Sequence, residues 1–373
     1  MEKPTHIYWF AHYNTKGPCV RYRGKYFLEA LYDRFGVPYS FVVPGYHPKN
    51  ILHFLQIYFS ALLFRKSGSI IVFQKIYTRG IYANALKFLL FFRKKLTIYD
   101  LDDAYHLKFP PATIFHFLQN TLQVSVGSEE LLSLASKHNQ SVFVNTSPII
   151  AHSIIKKKRN DVFTIGWIGF YNAHSESLEQ LFFPALKQSE IQVKLVLMGV
   201  TKSEHKCLLR ELFPSSGKVD LEITENINWE DEIFIYRQIS RFDVGISPLL
   251  ETSMNKAKSA FKMKQYLSVG VPVLASPVGE NCRFLKEGYN GYFCNNPREF
   301  SDRIRQISKM PDDLYDQMSA HALESSAEFS MEQYCKRFLG SISQTSNAKR
   351  QTSNAKRQMP NVKRQTPNVK YQG

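Results

Sequence analysis

At 373 residues, with 44% hydrophobic and 14% aromatic side chains, the chain exceeds one ordinary core and is too apolar for disorder, so two packed domains facing a cleft are expected. Five scattered cysteines, with no CxxC pair and no matching histidine spacing, fit a reducing compartment and no structural metal. The formal charge of +16 falls to +9 without the last 30 residues, so the body itself is basic enough to attract nucleic acid, anionic lipid or a phosphorylated substrate.

The opening stretch MEKPTHIYWFAHYN lacks the unbroken apolar core of a signal peptide, which points to the cytoplasm. Short strand-like runs then alternate with helical stretches, the pattern of parallel sheets with crossover helices. In the first half, strands are expected at His6–Ala11, Tyr39–Val43, Ser69–Gln74, Leu96–Tyr99, Leu122–Val126 and Ser141–Val144. The first leads into NTKGPCVRYRGKYFLEAL, with Gly17, Arg21 and Arg23 at the passage from loop to helix.

A helix from about Asn50 places Ile51, Leu55, Tyr58 and Leu62 at helical spacing, an apolar face suited to the core. Neither Ile51–Phe64 nor Ala83–Phe92 reaches the roughly 20 apolar residues that a membrane span requires. Aromatic and basic residues around Phe88 to Lys95 suit either contact with an anionic membrane face or an ordinary buried helix followed by a solvated turn. At the fourth strand, TIYDLDDAYHL packs Asp100, Asp102 and Asp103 into an otherwise basic chain.

A polar, basic stretch places the domain junction near residue 155, giving domains of 1–155 and 156–311, a helical segment over 312–340 and a tail over 341–373. The second series of strands is expected at Phe163–Ile168, Val193–Met198, Val219–Thr224, Val244–Ser247, Pro272–Ala275 and Gly291–Phe293. Between the fourth and fifth of these, Lys258, Lys262 and Gln265 share one face of an expected helix, with Met263, Leu267 and Gly270 opposite. Such a charged face is ordinarily just solvated. Here the strand PVLAS runs into SPVGEN, where Gly279, Glu280 and Asn281 open the next helix, and helix N-termini favour phosphate. Lysines and glycine turn converging at the carboxyl edge of a parallel sheet suit a nucleoside diphosphate. The tail repeats QTSNAKR, QTSNAKR, QMPNVKR and QTPNVKY; too apolar-poor and proline-containing for a coiled coil, it reads as disordered.

The segment from Phe242 to Phe293, and more broadly residues 163 to 295, resembles the group 1, or family 4, retaining glycosyltransferases of GT-B fold. Phe261, Lys262, Tyr266 and Gly270 to Val273 resemble a lysine-rich version of the motif found in bacterial surface-polysaccharide assembly. The resemblance implies a doubly wound α/β architecture of two Rossmann-like domains and transfer from a nucleotide sugar to a saccharide or lipid-linked saccharide, with retention and without a metal or other cofactor. It places Gln265 where the family's ribose-binding glutamate stands, and Ala257 where a first glutamate is usual. It implies that Gly169 through Asn172, in IGWIGFYNAHSESLEQL, line a turn near the donor phosphates. His174 follows, touching phosphate or, preferably, capping the helix with Ser175. It likewise makes Gly17 part of a loop facing the cleft, where Arg21 neutralises the departing diphosphate or forms a basic helix surface. The family's His-Asp pair falls at Tyr99 and Asp100, so the histidine is missing. Asp100, Asp102 and Asp103 then orient the acceptor or stabilise an oxocarbenium-like state, or merely cap and turn.

Nucleic-acid binding is disfavoured, since no recognisable binding motif accompanies the charge. Neither domain shows GxGxxG after its first strand with an acid about 20 residues on, which argues against a nicotinamide cofactor. The competing reading is a glycosyltransferase-like protein that has lost catalysis and only binds a partner.

Overall fold

The computed structural model describes residues 3–343 apart from 64–66, 151 and 157. Of the tail over 341–373 expected to be disordered, residues 341–343 instead end a helix, and 344–373 lie outside the described residues. Two six-stranded parallel sheets carry the fold. The first comprises β1 (Ile7–Ala11), β2 (Tyr39–Val42), β3 (Ile70–Gln74), β4 (Thr97–Leu101), β5 (Gln123–Val126) and β6 (Val142–Val144), in the order β2-β1-β3-β4-β5-β6. The second comprises β7 (Thr164–Ile168), β8 (Val193–Met198), β9 (Val219–Thr224), β10 (Val244–Ser247), β11 (Val273–Ala275) and β12 (Gly291–Phe293), in the order β12-β11-β10-β7-β8-β9. All twelve strands lie within a few residues of their expected positions. Central strands such as IYWFA, IIVFQ and TIGWI are buried along their whole length, because helices cover both faces of each sheet.

Strand order fixes where a ligand can sit. In the first sheet β1 lies between β2 and β3, and in the second β7 lies between β10 and β8, so successive connections leave in opposite directions at β1/β3 and β7/β10. Open α/β sheets leave a crevice beyond the carboxyl ends of the strands at such points. Here the two crevices face each other.

Caps delimit the helices: Ser128 Oγ accepts from the Leu131 amide, Thr252 Oγ1 from Asn255 and Asn296 Oδ1 from Glu299, while Gly36, at φ 65°, ends the helix Tyr26–Phe35. After the helix Asp312–Ser325 the chain crosses back, and the helix over 331–343 packs Tyr334, Phe338 and Leu339 against Trp9 and Phe27 of the first core. The first domain is therefore completed by the chain's far end. No helix among the described residues is long and apolar enough to cross a membrane.

One expected core face is corrected. The helix Pro48–Leu63 buries Ile57, Tyr58 and Ala61 against the sheet, whereas Ile51 is 45% and Leu55 39% exposed. Apolar residues surround this helix on more than one side, so spacing alone did not reveal which side meets the sheet.

Candidate active site between the domains

The facing crevices form one cleft of ≈ 950 Å³, lined by the loops after β1, β3, β7 and β10 and by the segment 254–265. Of the expected donor residues, Gly17, Arg21, Gly169, Lys258, Lys262, Gln265 and Asn281 line it, as do Asp102 and Asp103.

One corner of the cleft is cationic. The expected single helix is broken: a short turn Ser253–Lys256 ends at Ala257, Ala260 takes left-handed geometry at φ 53°, and a second helix runs Phe261–Leu267. Lys258 lies in the break instead of on the helix, yet the break bends it toward Lys262. Lys262 Nζ lies 2.8 Å from His174 Nε2 and 5.4 Å from the Trp167 ring centre; Lys258 Nζ is 3.4 Å from the same imidazole. Neither lysine forms an ion pair with a carboxylate among the described residues. Burial draws Lys258 down to about 8, with Asp103 partly offsetting it, and burial together with Lys258 holds Lys262 well below the ordinary lysine range. Burial and the two lysines also drive His174 far down, so its imidazole is neutral and accepts from Lys262. His174 makes no cap hydrogen bond, which corrects the preferred capping role. Its side chain turns into the cleft because the lysines give it a partner there.

Gly169, at φ 152°, makes this approach possible, since a Cβ there would lie 2.4 Å from Lys262 Cε. Gly199 does the same one strand over, where a Cβ would lie 1.8 Å from the Gly169 carbonyl oxygen. Asn172 lies outside the cleft lining.

On the opposite wall the three aspartates separate. β4 extends through Leu101, so Asp100 is a buried strand residue whose carboxylate accepts from Arg23 Nε at 3.0 Å and also from Arg23 Nη2. It is 2% exposed and does not line the cleft, which corrects its assignment to catalysis. Asp102 and Asp103 each lie 3.0 Å from Lys75 Nζ. Lys75 follows β3 directly, held at φ 56°, a costly conformation for a side-chain-bearing residue. Burial opposes its charge, but Asp102 raises its pKa well above the usual value; the Asp103 carboxyl is pushed up by burial despite Lys75. Of the three, Asp103 is the most open, with 35% of its side chain exposed. Beside it Tyr77 stacks on Tyr105 at 4.4 Å and lies 4.7 Å from Phe109, and His12 packs on Tyr77 at 4.1 Å. Burial and Lys75 lower His12 to about 4, keeping it neutral.

Other expected donor residues are committed elsewhere. Arg21 donates to the Thr15 and Lys16 carbonyls at 3.0 and 2.8 Å and, across the cleft, to Trp229 O at 2.5 Å and Glu232 at 3.4 Å. It clamps the two domains together. Gly279, at φ 58°, is required by Lys256, whose carbonyl oxygen would lie 2.5 Å from a Cβ there. Glu280 accepts from the Glu129 amide at 3.0 Å, and both residues face away from the main cleft. The helix they open is only Asn281–Phe284, and Asn281 spends its amide on the Ser247 and Ser276 carbonyls, tying together the ends of β10 and β11.

Residues 159–310, which contain the whole cationic corner except for its partners on the first domain, match the family described as Glycosyl transferases group 1. Similar solved structures include HepE from Anabaena in complex with UDP-glucose, 11% identical, covering 91% of this chain and 99% of that one at a TM-score of 0.64. A glycosyltransferase from Rickettsia africae is 11% identical over 92% of this chain and 99% of that one, TM-score 0.66. The lipopolysaccharide outer core galactosyltransferase WaaB is 14% identical over 90% and 99%, TM-score 0.58. No curated protein sequence matches the chain. Residues 159–310 are a group 1 glycosyl transferase domain, and the whole chain has the GT-B fold.

In this GT-B cleft Gln265 is 6% exposed and lies beside Lys262, while Ala257 is fully buried, its carbonyl accepting from Ser128 Oγ at 2.9 Å. Sequence reasoning missed Lys75, His12, Tyr77, Tyr105, Phe109 and Glu232. The first two directly follow β3 and β1, the strands that flank the switch point, and that position is the signal by which they are recognisable.

Proposed function

We propose that the cleft transfers a sugar, with retention, from a nucleotide-sugar donor to a saccharide or lipid-linked saccharide acceptor. The work is cell-surface polysaccharide or lipopolysaccharide assembly, in the cytoplasm at the inner face of the cytoplasmic membrane. The observation that carries this reading is the pair Lys258 and Lys262, converging on His174 at the carboxyl edge of the second sheet with no carboxylate pairing them. Two partly desolvated ammonium groups without counter-ions form an anion site, and a leaving diphosphate supplies the missing charge. The lysines take the part that a metal plays in other transferases, and Gln265 lies beside them to bond the ribose. Across the cleft Asp103 faces the reacting centre, and Tyr77, Tyr105 and Phe109 offer apolar faces to an acceptor sugar.

The test is nucleotide release by the purified protein over a panel of sugar nucleotides with membrane lipid extract as acceptor source. Release selective for one donor is expected. Lys262→Ala is expected to lower it by about a hundredfold, the scale of losing one charge-stabilising donor. Donor binding without release from any member of the panel overturns the transfer reading in favour of binding alone.

A further inference from the structure

From Arg34 through Tyr99 the sequence has ten Lys or Arg and not one Asp or Glu. This acid-free stretch supplies two helices on one face of the first sheet, Pro48–Leu63 and Ile81–Arg93. They pack side by side: Tyr58 Oη donates to the Ala85 carbonyl at 3.0 Å, and Arg93 donates to that of Leu62. Their inner sides fill the core with Ile57, Ala61, Leu86 and Leu90. Their outer sides are apolar as well. Leu52, Phe59 and Leu63 are 69%, 47% and 60% exposed on the first helix, and Phe88, Phe91 and Phe92 are 53%, 79% and 55% exposed on the second.

Single exposed apolar residues are ordinary, but two adjacent stripes are not. Their surroundings select the partner. Lys49 opens the first helix, Arg79 precedes the second and Lys94 follows it; all three are exposed, and none pairs with a carboxylate among the described residues. An apolar centre flanked by these cations, in a stretch without Asp or Glu, matches a surface where acyl chains lie beneath anionic headgroups, with the apolar groups entering the headgroup boundary and the cations neutralising lipid charge. We propose that this face docks the protein onto an anionic lipid bilayer. The second helix begins at the cleft mouth, where Tyr82 Oη donates to the Ala11 carbonyl at 2.8 Å, at the end of β1. Docking therefore presents the aromatic wall of the cleft to the lipid surface, which, on the transferase reading above, is where a lipid-linked acceptor arrives.

Co-sedimentation of the full chain with vesicles of phosphatidylcholine alone, or with roughly one third phosphatidylglycerol, tests the proposal at low and high salt. The wild type is expected to bind the anionic vesicles more tightly, and less so at high salt. The variants F88S/F91S/F92S and K49Q/R79Q/K94Q are each expected to bind about tenfold or more weakly, with a wild-type far-ultraviolet circular dichroism spectrum and cooperative thermal unfolding as the sign of intact folding. The basic tail is present in every variant, so a loss reports on the helical face alone. Variants that sediment like the wild type overturn the proposal. So does a dimer, seen by sedimentation velocity without vesicle binding, that the phenylalanine variant dissolves; that result assigns the face to a second copy of the chain. Failure of donor turnover leaves the vesicle result standing, so the two readings fail separately.

Discussion

Three aspartates within four positions of the sequence end in three different situations. Asp100 and Arg23 form a fully buried bidentate pair, and Arg23 also donates to the Asn145 carbonyl where the chain leaves the first domain. Removing one partner of such a pair strands the other charge in the interior. Asp100→Asn is therefore expected to lower unfolding free energy by about 3–5 kcal/mol in a denaturant titration. Asp103→Asn is expected to change stability by less than about 1 kcal/mol, since Lys75 keeps Asp102 as a partner, while reducing turnover by about tenfold or more. Equal stability losses in the two variants would remove the distinction drawn between them.

At the scale of elements, the break between Ser253–Lys256 and Phe261–Leu267 matters most, because it brings a loop lysine and a helix lysine to one histidine. On the transfer reading proposed above, a bound diphosphate favours the charged lysines, so binding takes up protons wherever Lys258, at about 8 in the free protein, has begun to lose its own. Affinity must then fall as pH rises through that value. Calorimetric titration with the nucleoside diphosphate released in the donor panel is expected to show dissociation constants roughly tenfold weaker at pH 9 than at pH 7. The stability of the free protein moves the other way. With its folded value depressed from 10.5 to about 8, Lys258 binds more protons unfolded than folded across that window, so its contribution to stability rises with pH between those values. A flat binding profile over pH 7 to 9 would show that Lys258 does not face the diphosphate.

Across the whole molecule, two seams of hydrogen bonds join the domains on either side of the cleft. In one, Arg21 and Tyr22 grip Glu232, with Tyr22 lying edge-on to Phe261 at 4.8 Å; in the other, Ser128 and Glu129 meet Ala257 and Glu280. Interdomain seams of this polar kind open and close readily. Replacing Arg21 with alanine is expected to raise the radius of gyration in solution scattering and to increase the donor KM several-fold, with both domains folded by hydrogen exchange. An unchanged radius and KM would mean that this seam does not hold the cleft.

Legible in the sequence alone were the twelve parallel strands, the two-domain plan and the lysine-bearing segment, because alternation of apolar strands with helices and a positive charge set before a G-x-P-V strand are local patterns. The partners of those charges were not legible. Arg21 and Arg23 sit two residues apart on one helical turn, and only packing sends the first to Trp229 and Glu232 in the other domain and the second to Asp100 in its own. Lys75 and His174 gained their places in the same way, since each meets its partners across a long stretch of chain. The outward face of Pro48–Leu63 is a further case, for a helix apolar on several sides does not itself say which side the sheet will cover. The sequence by itself determined which segments are strands and where charge accumulates; the tertiary structure decided where the lysine-bearing helix breaks, which charges neutralise one another and which are left for a ligand, because pairing depends on distances that the chain sets only when it is folded.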